Sequence, residues 1–63
     1  MKIDYKGYRV KQDPNNYHVA IFDRNGEMVF HAQSSKKKTA EELKKTVDFY
    51  LMFSEVLEEK GEK

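Results

Sequence analysis

At 63 residues, with 37% charged and 38% apolar side chains and a net charge of +1, the chain has room for one domain (residues 1–63) and a small core. It has no cysteine, so neither a disulfide nor a thiolate metal site can staple it, and stabilising so short a chain shifts to association with a partner. No apolar run nears the ~20 residues that cross a bilayer, and Met1-Lys2-Ile3-Asp4 opens no signal peptide, so a cytoplasmic protein with no membrane contact is expected.

The first predicted strand covers about residues 3–12. Tyr8-Arg9-Val10-Lys11-Gln12 alternates with Tyr8 and Val10 inward. Ile3 and Tyr5 have the opposite phase, and Gly7 stands between the two sets. A bulge at Gly7 within one strand resets that phase, and a tiny hairpin at Lys6-Gly7 is the alternative. Asp13-Pro14-Asn15-Asn16 then reads as a turn, because Pro pre-sets φ and Asn tolerates the left-handed region.

Strands over about 17–23 and 27–33 follow, joined at Asp23-Arg24-Asn25-Gly26-Glu27. Asn-Gly between two apolar stretches signals a two-residue type I′ hairpin. That loop sets Arg24 against Glu27, Phe22 against Val29, Ile21 against Phe30 and Val19 against Ala32. One face then carries Tyr17, Val19, Ile21, Met28, Phe30 and Ala32, and is assigned to the core. The other carries His18, Ala20, Phe22, Arg24, Glu27, Val29, His31 and Gln33 and is mixed.

After the polar stretch Ser34 to Lys38, Thr39 followed by Glu42 forms a capping box, in which each side chain bonds the other's free backbone N–H. A helix over about 40–60 follows, with Gly61 past its end. The expected fold is therefore α+β: a three-stranded antiparallel meander, about 3–12, 17–23 and 27–33, and one C-terminal helix. At 100° per residue, Leu43, Val47, Tyr50 and Leu57 make one apolar stripe of that helix. Phe49, Met52, Phe53 and Val56 make a second, more than one sheet face needs. Burying these four would supply roughly 1.5–3 kcal/mol each, the scale of stabilisation a domain this small lacks. They are the candidate interface of a homodimer, since two-fold pairing is the commonest solution.

Charge is split along the chain: eight Lys/Arg against four Asp/Glu in residues 1–38, four against seven in residues 39–63, net +4 and −3. Lys36, Lys37 and Lys38 crowd the helix start and Glu55, Glu58, Glu59 and Glu62 its end, both against the macrodipole. An antiparallel helix pair would lay the lysine end of one chain on the glutamate end of the other. Such exposed pairs set orientation more than affinity.

Lysines beside a helix N-terminus also suit an anion. Ser35-Lys36-Lys37-Lys38-Thr39-Ala40 resembles the Ser-Lys-Lys-x-Ala stretch opening the last helix of double-stranded-RNA-binding domains, where three antiparallel strands come first. That resemblance implies RNA phosphate contacts at Lys36, Lys37 and Lys38, although bulky aromatics replace the family's small-residue pattern in the helix. The strand-strand-strand-helix order also resembles the arm-binding domains of phage-type integrases, which lay their sheet in the DNA major groove. That second resemblance implies a contact face of Arg9, Lys11, His18, Phe22, Arg24 and His31.

Nothing in the sequence composes a catalytic constellation. Ser34, Ser35 and Ser54 have no His-Asp arrangement implied by spacing, and one helix on one sheet leaves little room for a substrate pocket. His18 and His31 share a face, but a metal needs three or four ligands, so no metal and no cofactor is expected. The expectation is a non-enzymatic, homodimeric macromolecule-binding protein with a protein partner, an accessory inhibitor or regulator in style. Small phage and mobile-element proteins resemble it in size. The alternative is a small nucleic-acid-binding module using Lys36–Lys38 or the basic sheet face of Arg9, Lys11 and Arg24.

Overall fold

The computed structural model describes residues 1–61, with side chains through Ser54. The sheet is antiparallel and has four strands, not three: β1 (Lys2–Tyr5), β2 (Tyr8–Gln12), β3 (His18–Phe22) and β4 (Met28–Gln33), in spatial order β1-β2-β3-β4. One helix, α1 (Ala40–Gly61), follows. The α+β meander-plus-helix class is as the sequence implies.

The extra strand comes from Lys6-Gly7. Both residues have positive φ, 54° and 83°, the type I′ geometry whose twist matches that of the flanking strands. Tyr5 therefore pairs with Tyr8 and Ile3 with Val10. The expected bulge is absent, and the phase break is a chain reversal. A two-residue loop brings Ile3, Tyr5, Tyr8 and Val10 to a single face, so no residue is wasted in resetting the alternation.

The β3–β4 turn departs from its two-residue form. Gly26 alone takes a positive φ, 85°, and Asn25 does not. The Gly26 N–H donates to the Asp23 carbonyl at 3.0 Å, and the Asp23 N–H donates to the Glu27 carbonyl at 2.9 Å. The Asp23 carboxylate accepts from the Asn25 and Glu27 N–H groups, both at 2.9 Å. Arg24, Asn25 and Gly26 thus form a three-residue loop, a type I turn closed by a left-handed glycine. A register shift follows between Ile21 and Phe22. Ile21 still faces Phe30 and Val19 faces Ala32, but Phe22 pairs with Met28 instead of Val29. Met28 is consequently 52% exposed rather than buried, and Val29 packs against the core. Tyr17 also leaves the expected core face. It ends the Asp13–Tyr17 turn at φ 64°, and its N–H donates to the Asp13 carbonyl at 2.9 Å.

The fully buried core is Val10, Val19, Ile21, Leu43 and Val47, flanked by Ile3, Tyr5, Tyr8, Val29, Phe30, Tyr50 and Leu51. Tyr50 meets Tyr8 edge-on at 5.7 Å and Phe30 at 5.9 Å between ring centroids. The expected capping box is present. Glu42 N–H donates to Thr39 Oγ1 at 3.2 Å, and Thr39 N–H donates to Glu42 Oε1 at 2.9 Å. Leu43 and Val47 of the helix pack on Val10, Val19 and Ile21 of β2 and β3, with β1 alongside. The β4 edge is only partly covered: Phe30 is half-buried, and Ala32, expected in the core, is exposed.

Candidate interaction surfaces

Because α1 sits toward β1, a groove of about 580 Å³ opens between its flank and β4. Val19, Phe30 and Ala32 form its floor, Thr46 and Phe49 its helix wall, and Lys38 and Lys45 part of its rim. The apolar helix flank continues outward. Phe49, Met52 and Phe53 are 55%, 60% and 49% exposed, and the Phe49 and Phe53 rings stack, 6.2 Å apart and 7° from parallel. These three of the four sequence-predicted interface residues share one exposed surface. The side chain of the fourth, Val56, lies outside the described residues, as do those of Glu55, Glu58, Glu59 and Glu62.

The six basic candidates divide into two groups. Arg9, Lys11 and Arg24 line a second depression, on the face away from α1, together with Asp4 and Phe22. Arg9 Nε is paired with Asp4 Oδ1 at 2.8 Å, which raises the Arg9 pKa and holds the Asp4 carboxyl below its ordinary 3.8. The Lys11 ammonium lies 5.1 Å from the centre of the Phe22 ring. His18 Nε2 and His31 Nδ1 are 3.3 Å apart, diagonal across β3 and β4 as their spacing implies. Among the described residues, no three His, Cys, Asp or Glu side chains converge as metal ligands.

Lys36, Lys37 and Lys38 sit apart from that face, in the segment entering α1. Lys36 Nζ is 3.7 Å from Glu42 Oε2, and the Lys38 N–H donates to Gln12 Oε1 at 2.8 Å. The Thr39 N–H bond, chiefly, with the nearby Lys36 and Lys38 charges, keeps the Glu42 carboxyl below its ordinary 4.5. The anion-binding groups expected at this helix start are thus partly engaged by the chain's own carboxylate.

Two side chains that sequence reasoning did not single out hold these surfaces in place. Gln12 is buried, and its amide donates to the carbonyls of Tyr17 and Lys36, both at 3.0 Å, while accepting from Lys38. It ties the segment before the helix to β2. Its inward phase with Tyr8 and Val10 was the available signal. Asp48 accepts from Lys6 Nζ at 2.9 Å and from Tyr5 Oη at 3.2 Å, fastening the β1–β2 turn to mid-helix. The Lys6 hydrogen bond holds the Asp48 carboxyl below its ordinary 3.8.

No helix among the described residues is long and apolar enough to cross a membrane. No family model, no curated protein and no solved structure matches this chain.

Proposed function

We propose that this protein is a non-enzymatic homodimer, self-associating through α1, that acts by binding a partner protein as an accessory inhibitor or regulator. One observation carries the reading: Phe49, Met52 and Phe53, three large apolar side chains each about half exposed, form one patch on the helix flank. Contiguous exposed apolar surface of this kind marks an association site in soluble proteins. Shortness and the lack of any disulfide give the chain reason to use it. A cytoplasmic location is part of this reading, and a chain that needs no disulfide is compatible with it. The test is the mass in solution by light scattering across a concentration series. Two 7.5 kDa chains per particle are expected, falling to one in Phe53→Glu. A wild-type particle that stays monomeric at millimolar concentration would overturn the reading.

A second reading rests on a different observation, the grouping of Arg9, Lys11 and Arg24 around Phe22 on the face away from α1. Cations beside an aromatic ring suit a nucleic-acid backbone and its bases. On this reading, labelled duplex binds at low salt and is released steeply as salt rises, and Lys11→Glu with Arg24→Glu abolishes binding. Retardation unaffected by that double substitution would exclude this face.

A further inference from the structure

Sheet and helix differ in width. Four strands spaced about 4.8 Å apart place the outer strand axes about 14 Å from each other. A helix with its side chains is about 10–12 Å across and covers roughly half of such a face once the outer side chains are included. Here α1 covers the middle of the sheet, where Val10, Val19 and Ile21 are fully buried against Leu43 and Val47, with Ile3 and Tyr5 of β1 packed alongside. The groove runs along the other edge, where Phe30 is half-buried and Ala32 is exposed beside Val19. Together with the exposed Phe49, Met52 and Phe53 it makes one apolar surface on the β4 side of the helix.

Charge identifies which helix. The rim of the groove carries Lys38 and Lys45, and the Glu42 carboxylate beside them is already bonded to Thr39 and close to Lys36. The occupant should therefore be apolar on one side and acidic alongside. The chain's own helix answers that description in its second half, where Val56 continues the Phe49–Phe53 spacing among Glu55, Glu58 and Glu59. Run antiparallel, the acidic half of one helix meets the lysine-bearing half of the other, and one two-fold axis satisfies both grooves.

We infer that α1 of a second copy seats in the groove between α1 and β4, antiparallel to it, so that two central helices lie between two outer sheets. This deepens, and rests on, the homodimer reading. It commits to a particular surface, the inner face of β4, that a helix-to-helix contact alone would leave open.

The experiment measures dimer dissociation by analytical ultracentrifugation for wild type, Phe53→Glu, Ala32→Glu and His31→Glu. Ala32 is exposed on the groove floor, and His31 is exposed on the opposite face of the same strand, so both variants should fold. Phe53→Glu and Ala32→Glu should each raise the dissociation constant about a hundredfold or more, because each buries an unpaired charge, while His31→Glu leaves it within about threefold. Lys45→Glu should weaken the dimer about threefold, with recovery when Glu58 and Glu59 are changed to Lys in the same chain. A dimer broken by Phe53→Glu but indifferent to Ala32→Glu overturns the groove seating and leaves the homodimer standing. A monomeric wild type overturns both. Equal loss in His31→Glu, or no recovery in the charge-reversed chain, overturns the seating or its antiparallel direction respectively.

Discussion

Gly7 and Gly26 both occupy left-handed backbone, at φ 83° and 85°, but their surroundings differ. A Cβ on Gly26 would meet nothing within 4 Å, whereas one on Gly7 would lie 3.1 Å from Arg24 Nε. Gly26→Ala should therefore cost only the backbone strain, about 1–2 kcal/mol. Gly7→Ala should cost the same and also push the Arg24 guanidinium off the turn, adding a few tenths of a kcal/mol because that side chain can swing away. Urea unfolding of the two variants measures the difference, and a Gly7→Ala variant as stable as wild type would contradict the positive φ. Gln12 makes the opposite point. Gln12→Leu nearly keeps the volume but removes the partners of the Lys38 N–H and the Tyr17 carbonyl, while the Lys36 carbonyl keeps its bond from Ser34 Oγ. A loss of about 2 kcal/mol is expected, the usual cost of leaving partly buried groups unpaired. Amide exchange at Lys38 should quicken by more than the change in global stability explains.

Elements meet through exposed carboxylates, so acid should loosen them together. The carboxyls of Asp4, Glu42 and Asp48 are held below their ordinary 3.8, 4.5 and 3.8 in the folded chain by Arg9, Thr39 and Lys6. Their stabilisation is complete above those ordinary values and is lost as pH falls through the lower folded-state values. Unfolding midpoints should be flat from neutrality down to the ordinary carboxylate range and then drop. Asp48→Asn should shallow that drop with little change in stability at neutral pH, since the pair is solvent-exposed. A midpoint that rises on acidification would show that other groups dominate. Thr39→Ala, which deletes half of the capping box, should cost about 1 kcal/mol. That box was legible in the sequence because its chemistry is local: two side chains three residues apart serve each other. The strands were legible for the same reason, by alternation. What the alternation could not resolve was the reversal at Lys6-Gly7. A bulge and a tight hairpin both shift phase, and Lys at a left-handed position is not a habitual turn signal. The Asn25-Gly26 pair misled in the other direction. Its two-residue turn lost to a three-residue loop tied by the Asp23 carboxylate, and the register shift that followed exchanged Met28 for Val29 at the core.

On the scale of the whole molecule, the apolar excess of the helix was legible from periodicity, and its exposure at Phe49, Met52 and Phe53 agrees. The groove was not, because where a helix crosses a sheet depends on long-range contacts such as Asp48 with Lys6 and Gln12 with Lys36, which draw α1 toward β1 and β2. Among the described residues, the fully buried apolar side chains are Val10, Val19, Ile21, Leu43 and Val47, a small core. If the β4 edge of the sheet is closed by a second copy, folding and association are linked, and stability must depend on protein concentration. Each tenfold rise in concentration should add about 1.4 kcal/mol per mole of dimer and move the thermal midpoint upward by a few degrees. Phe53→Glu should abolish that dependence without lowering the midpoint of the dilute protein, because Phe53 is half exposed and lies outside the buried core. Scanning calorimetry at several concentrations separates the two cases. A wild-type midpoint independent of concentration would mean that the buried core and its aromatic flank suffice alone, and that the β4 edge is not closed by a second chain.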